Sequence, residues 1–379
     1  MKINAYFDNS ATTRPCPEAV EAAQRVMTDL WGNPSSLHAA GNEAKAVIDD
    51  SREAVAEKLH CAPEEIFFTS GGTESDNLAV FGAAEKMKRL GKRIVSTEAE
   101  HPAVYEALAK LENEGFEVVR LKLDSRGKIS ESDLYDAVTA DTILISIMAI
   151  NNETGSVMPF ESAKRAAMRA KSPALIHCDA VQAFGKINLR PVACGIDLMT
   201  VSSHKIHGIK GAGALYVSKK VKILPRVFGG EQEMKLRPGT EAVPAIAAFG
   251  AAVKALPDTE KELEKMKELR AFMLGGFENI GGIVVNSPED ASPYVTNISI
   301  PGIKSEPMLN FLSSKGICVS AGSACSKGKK SKVLKEMGLD EKRLESPLRI
   351  SFSRYTTKEE ISCLCEMIAQ GKKEIRSTL

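Results

Sequence analysis

The sequence has almost no net charge and no long apolar run, and these two absences exclude several classes of protein. Lys and Arg number 50 against 49 Asp and Glu, which leaves a formal net charge of +1. This balance gives no global electrostatic reason to bind nucleic acid or an anionic membrane, so any charge-driven docking must be local. The longest apolar stretches, such as 143–150, fall far short of the ~20 residues that cross a bilayer, and the N-terminus has no signal-peptide run. We therefore expect a cytoplasmic protein with no membrane contact and no direct nucleic-acid partner.

Cysteine is also scarce, and the chain has no internal repeats, low-complexity tracts or Pro-rich linkers. The eight cysteines are too dispersed over 379 residues for a disulfide scaffold. In a reducing compartment each is a buried small residue or a reactive thiol. Hydrophobic residues at 43% and charged residues at 26% are typical of soluble globular chains. The length predicts one large domain and a smaller one.

Short β-branched runs alternate with amphipathic stretches over the first two-thirds of the chain. This pattern is typical of βαβ units around a mainly parallel sheet. Helices are predicted over 74–90, where apolar residues repeat with helical spacing, and over 102–114, which opens on a proline. Strands are predicted at 66–69, 93–97, 117–121, 142–148, 174–178, 198–202 and 214–217. We expect these to form a seven-stranded sheet sandwiched by helices in an α/β fold.

Beyond this region the pattern indicates a second, smaller α/β domain. A helical stretch runs over 241–279 with an interruption near Pro257. The remaining predicted elements are strands near 283–285, 297–300 and 348–352 and a closing helix over 358–376. The first twenty residues are expected to pack across the domain boundary. We predict a large domain over 21–254 and a small domain formed by 1–20 and 255–379.

The segment 69–75, Thr-Ser-Gly-Gly-Thr-Glu-Ser, follows a predicted strand and opens a predicted helix. Backbone N–H groups, glycines that permit close approach and hydroxyls at the positive end of a helix predict an anion site, most naturally for phosphate. The segment is also compatible with an ordinary helix capped by Ser70 or Thr73. It matches neither a Walker loop nor a dinucleotide fingerprint, which disfavours nucleotide binding.

Two further polar residues follow predicted strands. Asp179 comes directly after 174–178, at the carboxyl end of a strand, where ligands of α/β proteins bind, although a lone carboxylate there often caps a helix. Lys205 follows the next strand and precedes a Gly-rich turn, so it is either a solvated loop residue or an amine held for imine chemistry. With the phosphate site they supply what a pyridoxal phosphate enzyme needs: a grip on the phosphate, a partner for the pyridinium nitrogen and a Schiff-base lysine.

Five ordered motifs extend this pattern. They are 69–75, Glu-His-Pro-Ala-Val at 100–104, Asn-Asn-Glu-Thr-Gly at 151–155, Ser-Ser-His-Lys at 202–205 and Ser-Ala-Cys at 323–325. The chain thereby resembles the class V aminotransferase-related cysteine desulfurases of the NifS/IscS type, and the resemblance runs from 8–13 to 349–354. It implies the fold-type I pyridoxal phosphate transferase fold, pyridoxal 5'-phosphate as cofactor and a homodimer.

The resemblance implies a role for each matching residue. Lys205 would carry the cofactor as a Schiff base and move protons at the substrate Cα. Asp179 would pair with the ring nitrogen, and His101 would stack on the ring face and exchange protons. The other implied cofactor contacts are Asn152 and Gln182 at the phenolic oxygen and Gly72, Thr73, Ser202 and His204 at the phosphate.

Three more residues are assigned by the resemblance. Thr240 lies in Arg-Pro-Gly-Thr, where the family more often has Arg-Ser-Gly-Thr, and would bind the phosphate of the other subunit. Arg349 would clamp the substrate α-carboxylate with its planar guanidinium. Cys325 would attack the γ-sulfur of bound cysteine, and its small, basic loop favours the thiolate.

The other cysteines lack such a setting. Cys363 and Cys365 lie on an amphipathic helix with no second pair nearby, so we expect no metal site. Cys318 lies in an apolar run and is expected to be a buried strand residue. The remaining cysteines, expected to be packing residues, are Cys16, Cys61, Cys178 and Cys194.

Lysines crowd the segment after Cys325, with no acidic residue before Glu336. Such a run is either a solvated loop or a docking surface for an acidic acceptor. Its members are Lys327, Lys329, Lys330, Lys332 and Lys335.

The sequence thus predicts a homodimeric cysteine desulfurase that converts L-cysteine to L-alanine and leaves a persulfide on Cys325. The sulfur would pass to a protein acceptor, such as an iron–sulfur scaffold or a sulfur carrier of tRNA thiolation or thiamine synthesis. The alternatives are a selenocysteine lyase or an aminotransferase on the same scaffold, or a catalytically silent sulfur-carrier scaffold. Cys325 argues against the aminotransferase, and intact Lys205, Asp179 and His101 argue against the silent scaffold.

Overall fold

Helices cover both faces of a seven-stranded sheet in the computed structural model, which describes residues 3–322 and 330–375. The strands are β1 Ala5–Tyr6, β2 Ile66–Thr69, β3 Arg93–Thr97, β4 Glu117–Leu121, β5 Thr142–Ser146, β6 Leu175–Asp179, β7 Leu198–Ser202, β8 Gly213–Val217, β9 Val284–Val285, β10 Val295–Ser299, β11 Ile317–Cys318 and β12 Pro347–Ser351. The α-helices are α1 Pro17–Thr28, α2 Ala39–Leu59, α3 Gly72–Met87, α4 Pro102–Asn113, α5 Glu131–Ala137, α6 Ala163–Arg169, α7 Pro191–Cys194, α8 Val243–Lys254, α9 Thr259–Ile280, α10 Ser305–Ser314, α11 Lys332–Glu336, α12 Glu341–Leu344 and α13 Lys358–Glu374.

The large sheet has the strand order β2-β8-β7-β6-β5-β3-β4. Its strands are parallel except β8, which pairs antiparallel with both β2 and β7. The predicted seven-stranded, mainly parallel sheet is therefore confirmed, and the strand bounds differ from the prediction only at ends of β5, β6 and β8. Because most strands are parallel, their carboxyl ends meet along one edge, where the site residues were predicted.

Alternation along the strands gives the sheet two apolar faces. Ile66 and Phe68 pack into the core shared with α1, α2 and α8, whereas Phe67 between them faces the core under α3 and α4. Successive side chains of a strand point to opposite sides, so a continuous apolar run requires cover on both faces. The helices supply that cover.

Two smaller sheets accompany the large one. β10 pairs antiparallel with β9 and β12, while β1 pairs parallel with β11. A separate apolar cluster joins β1, β10, β11 and β12 to α9, α10 and α13. The helical stretch interrupted near Pro257 is confirmed as α8 and α9, and Asp258 caps α9 by accepting from the Lys261 N–H.

The N-terminal segment links the cluster of the smaller sheets to the core beneath α1, α2 and α8. Phe7 lies in the former and Cys16 in the latter. Between them, Asn9 Nδ2 donates to the Ser351 carbonyl at 2.8 Å, and the Thr13 N–H donates to the His204 carbonyl at 2.9 Å. Among the described residues, no helix has the length and apolarity required to span a bilayer.

Candidate active site

A cavity of about 260 Å³ lies at the carboxyl ends of β6 and β7. It collects every described residue that was predicted for the site except Thr240. Its lining residues are Ser10, Ala11, Gly72, Thr73, Asp76, His101, Met148, Asn152, Asp179, Val181, Gln182, Ser202, His204, Lys205 and Arg349.

Lys205 ends a short 3₁₀ turn, Ser203–Lys205, which follows β7 directly. Its Nζ donates to the carbonyl oxygens of Ser10 at 2.5 Å and Ala11 at 2.9 Å. The N-terminal segment thus holds the lysine amine at the cavity. Because two carbonyls already restrain this flexible side chain, it loses less conformational entropy when it reacts than an unrestrained lysine would.

Asp179 is the last residue of β6, and its Oδ1 accepts from the Val181 N–H at 2.9 Å. Burial raises the pKa of Asp179, while His101, the Val181 amide and Lys205 act in the opposite direction. A cation beside this carboxylate would stabilise its ionised form. The position therefore suits a protonated ring nitrogen.

His101 caps α4, since its Nδ1 accepts from the Ala103 N–H at 3.2 Å. Burial lowers its pKa, with Lys205 acting in the same direction and Asp179 against it. The ring is therefore held by the helix start and is neutral at pH 7.

The start of α3 forms a cradle without side-chain capping. Gly71 occupies the cap position with φ +154°, which favours glycine, and a Cβ there would meet nothing within 4 Å. A Cβ on Gly72 would lie 2.9 Å from Val181 Cγ2. No side-chain cap hydrogen bond forms at this helix, so the alternative of capping by Ser70 or Thr73 is not what the structure shows. Among the described residues, the buried Ser202 Oγ has no hydrogen-bond partner.

Arg349 is buried on β12, 1% exposed, yet reaches the cavity. Its guanidinium donates to Asp8 Oδ1 at 2.7 Å and to the Asn152 carbonyl at 3.1 Å. Nε has no partner within the described part of the chain. This arrangement holds the guanidinium plane and leaves a donor for a carboxylate.

The other predicted cofactor contacts lie around the same cavity. Gln182 is buried, and its Nε2 donates to the Ser10 carbonyl at 2.9 Å. His204 Nδ1 lies 3.2 Å from Thr12 Oγ1, and burial together with Lys205 lowers its pKa to about 4. Asn152 is half-buried, and Thr73 is exposed at the cavity.

One described residue that was predicted for the site, Thr240, does not line this cavity. Thr240 is exposed in the loop before α8, and Arg237 of that loop donates to Glu74 Oε1 at 2.8 Å, which ties the loop to the start of α3. Cys325 lies outside the described residues, as do Lys327 and Lys329.

Residues that the sequence analysis passed over also contribute. Asp76 lines the cavity one helical turn after Gly72, so helical spacing could have identified it. Its pKa is raised well above the ordinary range by burial and by Asp179. Ser10 lies in the segment 8–13, where the family resemblance begins, but the sequence analysis assigned it no function. No pattern in the sequence predicted the contact between Asp8 and Arg349.

The lysines beyond the cysteine loop are less available than their spacing suggests. Lys330 pairs with Glu341 and lies 3.5 Å from Glu345, and Lys332 pairs with Glu98. Both acidic partners of Lys330 come from α12 and its end, and Glu98 follows β3. The uninterrupted positive run in sequence is therefore partly neutralised in space.

The cysteines other than Cys325 have packing environments. Cys16 and Cys178 are buried; Cys61, Cys194, Cys318, Cys363 and Cys365 are half-buried. Burial raises the pKa of Cys365 to about 11 and also raises that of Cys318. Within 3–322 and 330–375, no cluster of three or more metal-ligating side chains occurs.

The donor set fits pyridoxal phosphate. Gly72 and the buried Ser202 hydroxyl suit the phosphate, Asp179 suits the ring nitrogen, and the Lys205 amine suits the aldehyde carbon. All of them line one cavity.

Comparisons with known proteins agree with this chemistry. The class-V aminotransferase family matches residues 5–364. The cysteine desulfurase IscS of Dictyoglomus turgidum is 37% identical over 100% of this chain and 96% of its own length, and a cysteine desulfurase of Nostoc sp. is 40% identical over 98% and 94%. The solved structure of a NifS-like protein has a TM-score of 0.93 at 36% identity, covering 99% of this chain and 100% of its own. A structure described as SspA in complex with cysteine has a TM-score of 0.82 at 32% identity, covering 93% and 100%.

These similarities confirm the predicted fold class, enzyme class and cofactor. They extend over nearly the whole chain and over nearly the whole of each relative. The chain belongs to the class V aminotransferase family of pyridoxal phosphate enzymes, among its cysteine desulfurases.

Proposed function

We propose that the protein is a homodimeric, cytoplasmic cysteine desulfurase that converts L-cysteine to L-alanine and passes the sulfur through Cys325 to a protein acceptor. The observation that carries this proposal is the convergence of Lys205, Asp179 and Arg349 on one cavity. The cysteine bound in the related SspA structure supports the choice of substrate.

Each of the three residues has a distinct task in this proposal. Bound pyridoxal phosphate supplies an electron sink for the bond changes at the substrate Cα. Arg349 orients the α-carboxylate, Asp179 keeps the ring nitrogen protonated, and the Lys205 amine exchanges the Cα proton. His101, held at the start of α4, is positioned to exchange a further proton.

The thiol of Cys325 would accept the sulfur. A thiolate attacks the substrate sulfur, the carbon–sulfur bond breaks, and protonation of the three-carbon fragment gives alanine. The persulfide then passes to an acceptor, for which an iron–sulfur scaffold or a carrier of tRNA thiolation or thiamine synthesis fits the chemistry.

Large apolar side chains that are exposed in the single chain support the homodimer. Trp31 is 75% exposed, Leu37 96% and Phe228 84%, and burial of such side chains against a second copy would remove apolar surface from water. Thr240 is exposed and does not line the cavity of its own chain, which is compatible with the proposed role at the phosphate of a partner subunit.

The separate apolar cluster around the smaller sheets, apart from the two clusters on the faces of the large sheet, supports the division into a large domain at 21–254 and a small one at 1–20 and 255–379. One group within the predicted small domain packs with the large cluster instead: Val333, Leu334, Met337 and Leu344. We propose that this group forms the contact between the two domains.

Sulfide release from L-cysteine in the presence of dithiothreitol tests the function. Wild type should release sulfide with stoichiometric alanine, and Cys325→Ala should not. Mercaptopyruvate in place of alanine, formed only when a keto acid is supplied to accept the amino group, would indicate the aminotransferase, and turnover restricted to selenocysteine would indicate the lyase. A purified protein without a cofactor absorbance band would indicate the silent scaffold.

A further inference from the structure

Lys186 is a second buried lysine beside the active-site cavity. It is 8% exposed, and its Nζ lies 5.5 Å from the centre of the Tyr294 ring. Its Nζ donates to Gln182 Oε1 at 3.2 Å. Within the described part of the chain, no carboxylate pairs with it at ion-pair distance. A buried amine in such a place requires an explanation, because burial of a charge is costly.

The contact with Gln182 has a directional consequence. An ammonium group has donors and no acceptor, so the Gln182 atom that faces Lys186 must be the amide oxygen. The Nε2 end then faces the other way, where one N–H donates to the Ser10 carbonyl at 2.9 Å. Gln182 also lines the cavity, and its Nε2 carries a second N–H besides the one that it donates to Ser10.

The Ser10 carbonyl connects this contact to the catalytic lysine. It accepts from Gln182 Nε2 and from Lys205 Nζ at 2.5 Å. Lys186, Gln182, Ser10 and Lys205 therefore form one continuous hydrogen-bonded chain, with Lys186 at its inner end.

We propose that Lys186 is a positioning residue that fixes the Gln182 amide with its Nε2 toward the phenolic oxygen of the cofactor. This inference rests on the proposed role of Gln182 at that oxygen. Lys186 acts through Gln182 and touches neither substrate nor cofactor.

The protonation state of Lys186 determines at which pH the orientation of the Gln182 amide is fixed. Burial lowers the pKa of Lys186 to about 7, with Lys205 and Arg349 acting in the same direction. His204 and His207 also lie near enough for Lys186 to lower their pKa values, which are about 4, so both are neutral at pH 7. Below pH 7 the ammonium form prevails and can only donate. Above it the amine can also accept, and the amide orientation is less strictly determined.

The experiment measures the bound cofactor rather than turnover. Lys186→Met removes the donor and keeps a long, unbranched side chain, whereas Lys186→Arg keeps a charged donor. Each variant is titrated with pyridoxal phosphate to give a dissociation constant, and the pH midpoint of the absorbance change of the bound cofactor is recorded. Lys186→Met should weaken binding about three- to tenfold, the range for one lost hydrogen bond, and raise the midpoint. Lys186→Arg should lie closer to wild type.

A double-variant cycle separates the positioning role from a simple charge effect. Gln182→Leu removes the amide, so adding Lys186→Met to it should change neither quantity further. An equal shift in both backgrounds would show that the lysine acts by its charge alone and would overturn the proposal. No shift in either background would overturn it as well.

Folding and cofactor use are controlled separately. Circular dichroism checks that the variants fold; if Lys186→Met does not, Lys186→Gln, whose amide both donates and accepts, should give a smaller shift of the same sign, and no shift refutes the role. If wild type itself shows no cofactor band, the proposed function fails before Lys186 is considered.

Discussion

Arg349 donates a 2.7 Å hydrogen bond to Asp8, a residue 341 positions away in the sequence. The contact joins β12 to the N-terminal segment directly before the Ser10 and Ala11 carbonyls that hold Lys205. One short segment therefore positions both the arginine and the lysine of the site. A hydrogen bond between two charged groups is stronger than one between neutral groups.

Asp8→Ala should raise the KM for L-cysteine by about tenfold with a smaller change in kcat, because Arg349 loses the bond that orients its guanidinium. Asp8→Asn, which keeps an acceptor oxygen, should have a smaller effect. Steady-state kinetics measure both, with the surface variant Asp290→Asn as control. A lower KM in Asp8→Ala would show instead that Asp8 competes with the substrate for the guanidinium.

Lys205→Ala should abolish turnover and the covalent attachment of the cofactor while the protein stays folded, because the described cavity contains no second lysine. Borohydride reduction followed by mass spectrometry of the intact protein measures the adduct. Wild-type labelling in the variant would assign the Schiff base to another lysine, and Lys186 would be examined first.

Cys325→Ser should still bind the cofactor and L-cysteine but should yield less than about 1% of the wild-type alanine, since a hydroxyl is a poor nucleophile toward sulfur. Cys318→Ser is the matched control, because burial and Asp8 raise the pKa of that thiol. Near-normal activity is expected of the control. Loss of activity in Cys318→Ser alone would contradict the assignment of the nucleophile.

Glu100 should make stability depend on pH. Burial, together with the Asp179 charge, raises its pKa from 4.5 to about 8. Because the folded pKa exceeds the unfolded one, its contribution to stability is fully present below pH 4.5 and is lost as pH rises through 8. The thermal midpoint of Glu100→Gln, compared with that of wild type at the same pH, should therefore rise by several degrees as the pH is raised from 5 to 8. Exposed Glu64→Gln serves as control, and a constant difference across this range would contradict the assignment.

The lysines around Cys325 should divide into two groups. Lys327/Lys329→Ala should slow persulfide transfer to a protein acceptor about two- to fivefold at low salt, with near-normal sulfide release to dithiothreitol. Lys330/Lys332→Ala should leave transfer unchanged, because both lysines pair with carboxylates of their own chain. Paired assays at two ionic strengths measure this. Equal loss in both assays would indicate that Lys327 and Lys329 act on the Cys325 thiolate.

The sequence alone determined where the strands of the large sheet lie along the chain and which polar residues follow them. Apolar runs such as 198–202 define buried strands whatever their neighbours, since their side chains require cover on both faces. Polar residues at the ends of those strands, Asp179 and Lys205, must then meet at one edge of a parallel sheet. Motif resemblance supplied the identity of the cofactor.

Tertiary structure alone decided the contacts between residues distant in sequence. The bond from Arg349 to Asp8 depends on β12 and the N-terminal segment lying side by side, and the pairing of Lys332 with Glu98 depends on α11 lying near the end of β3. Local patterns carry no information on such pairs, because hydrogen bonds and charges act through space rather than along the chain. The same holds for Lys186, whose role arises only where its amine meets the Gln182 amide in the interior of the protein.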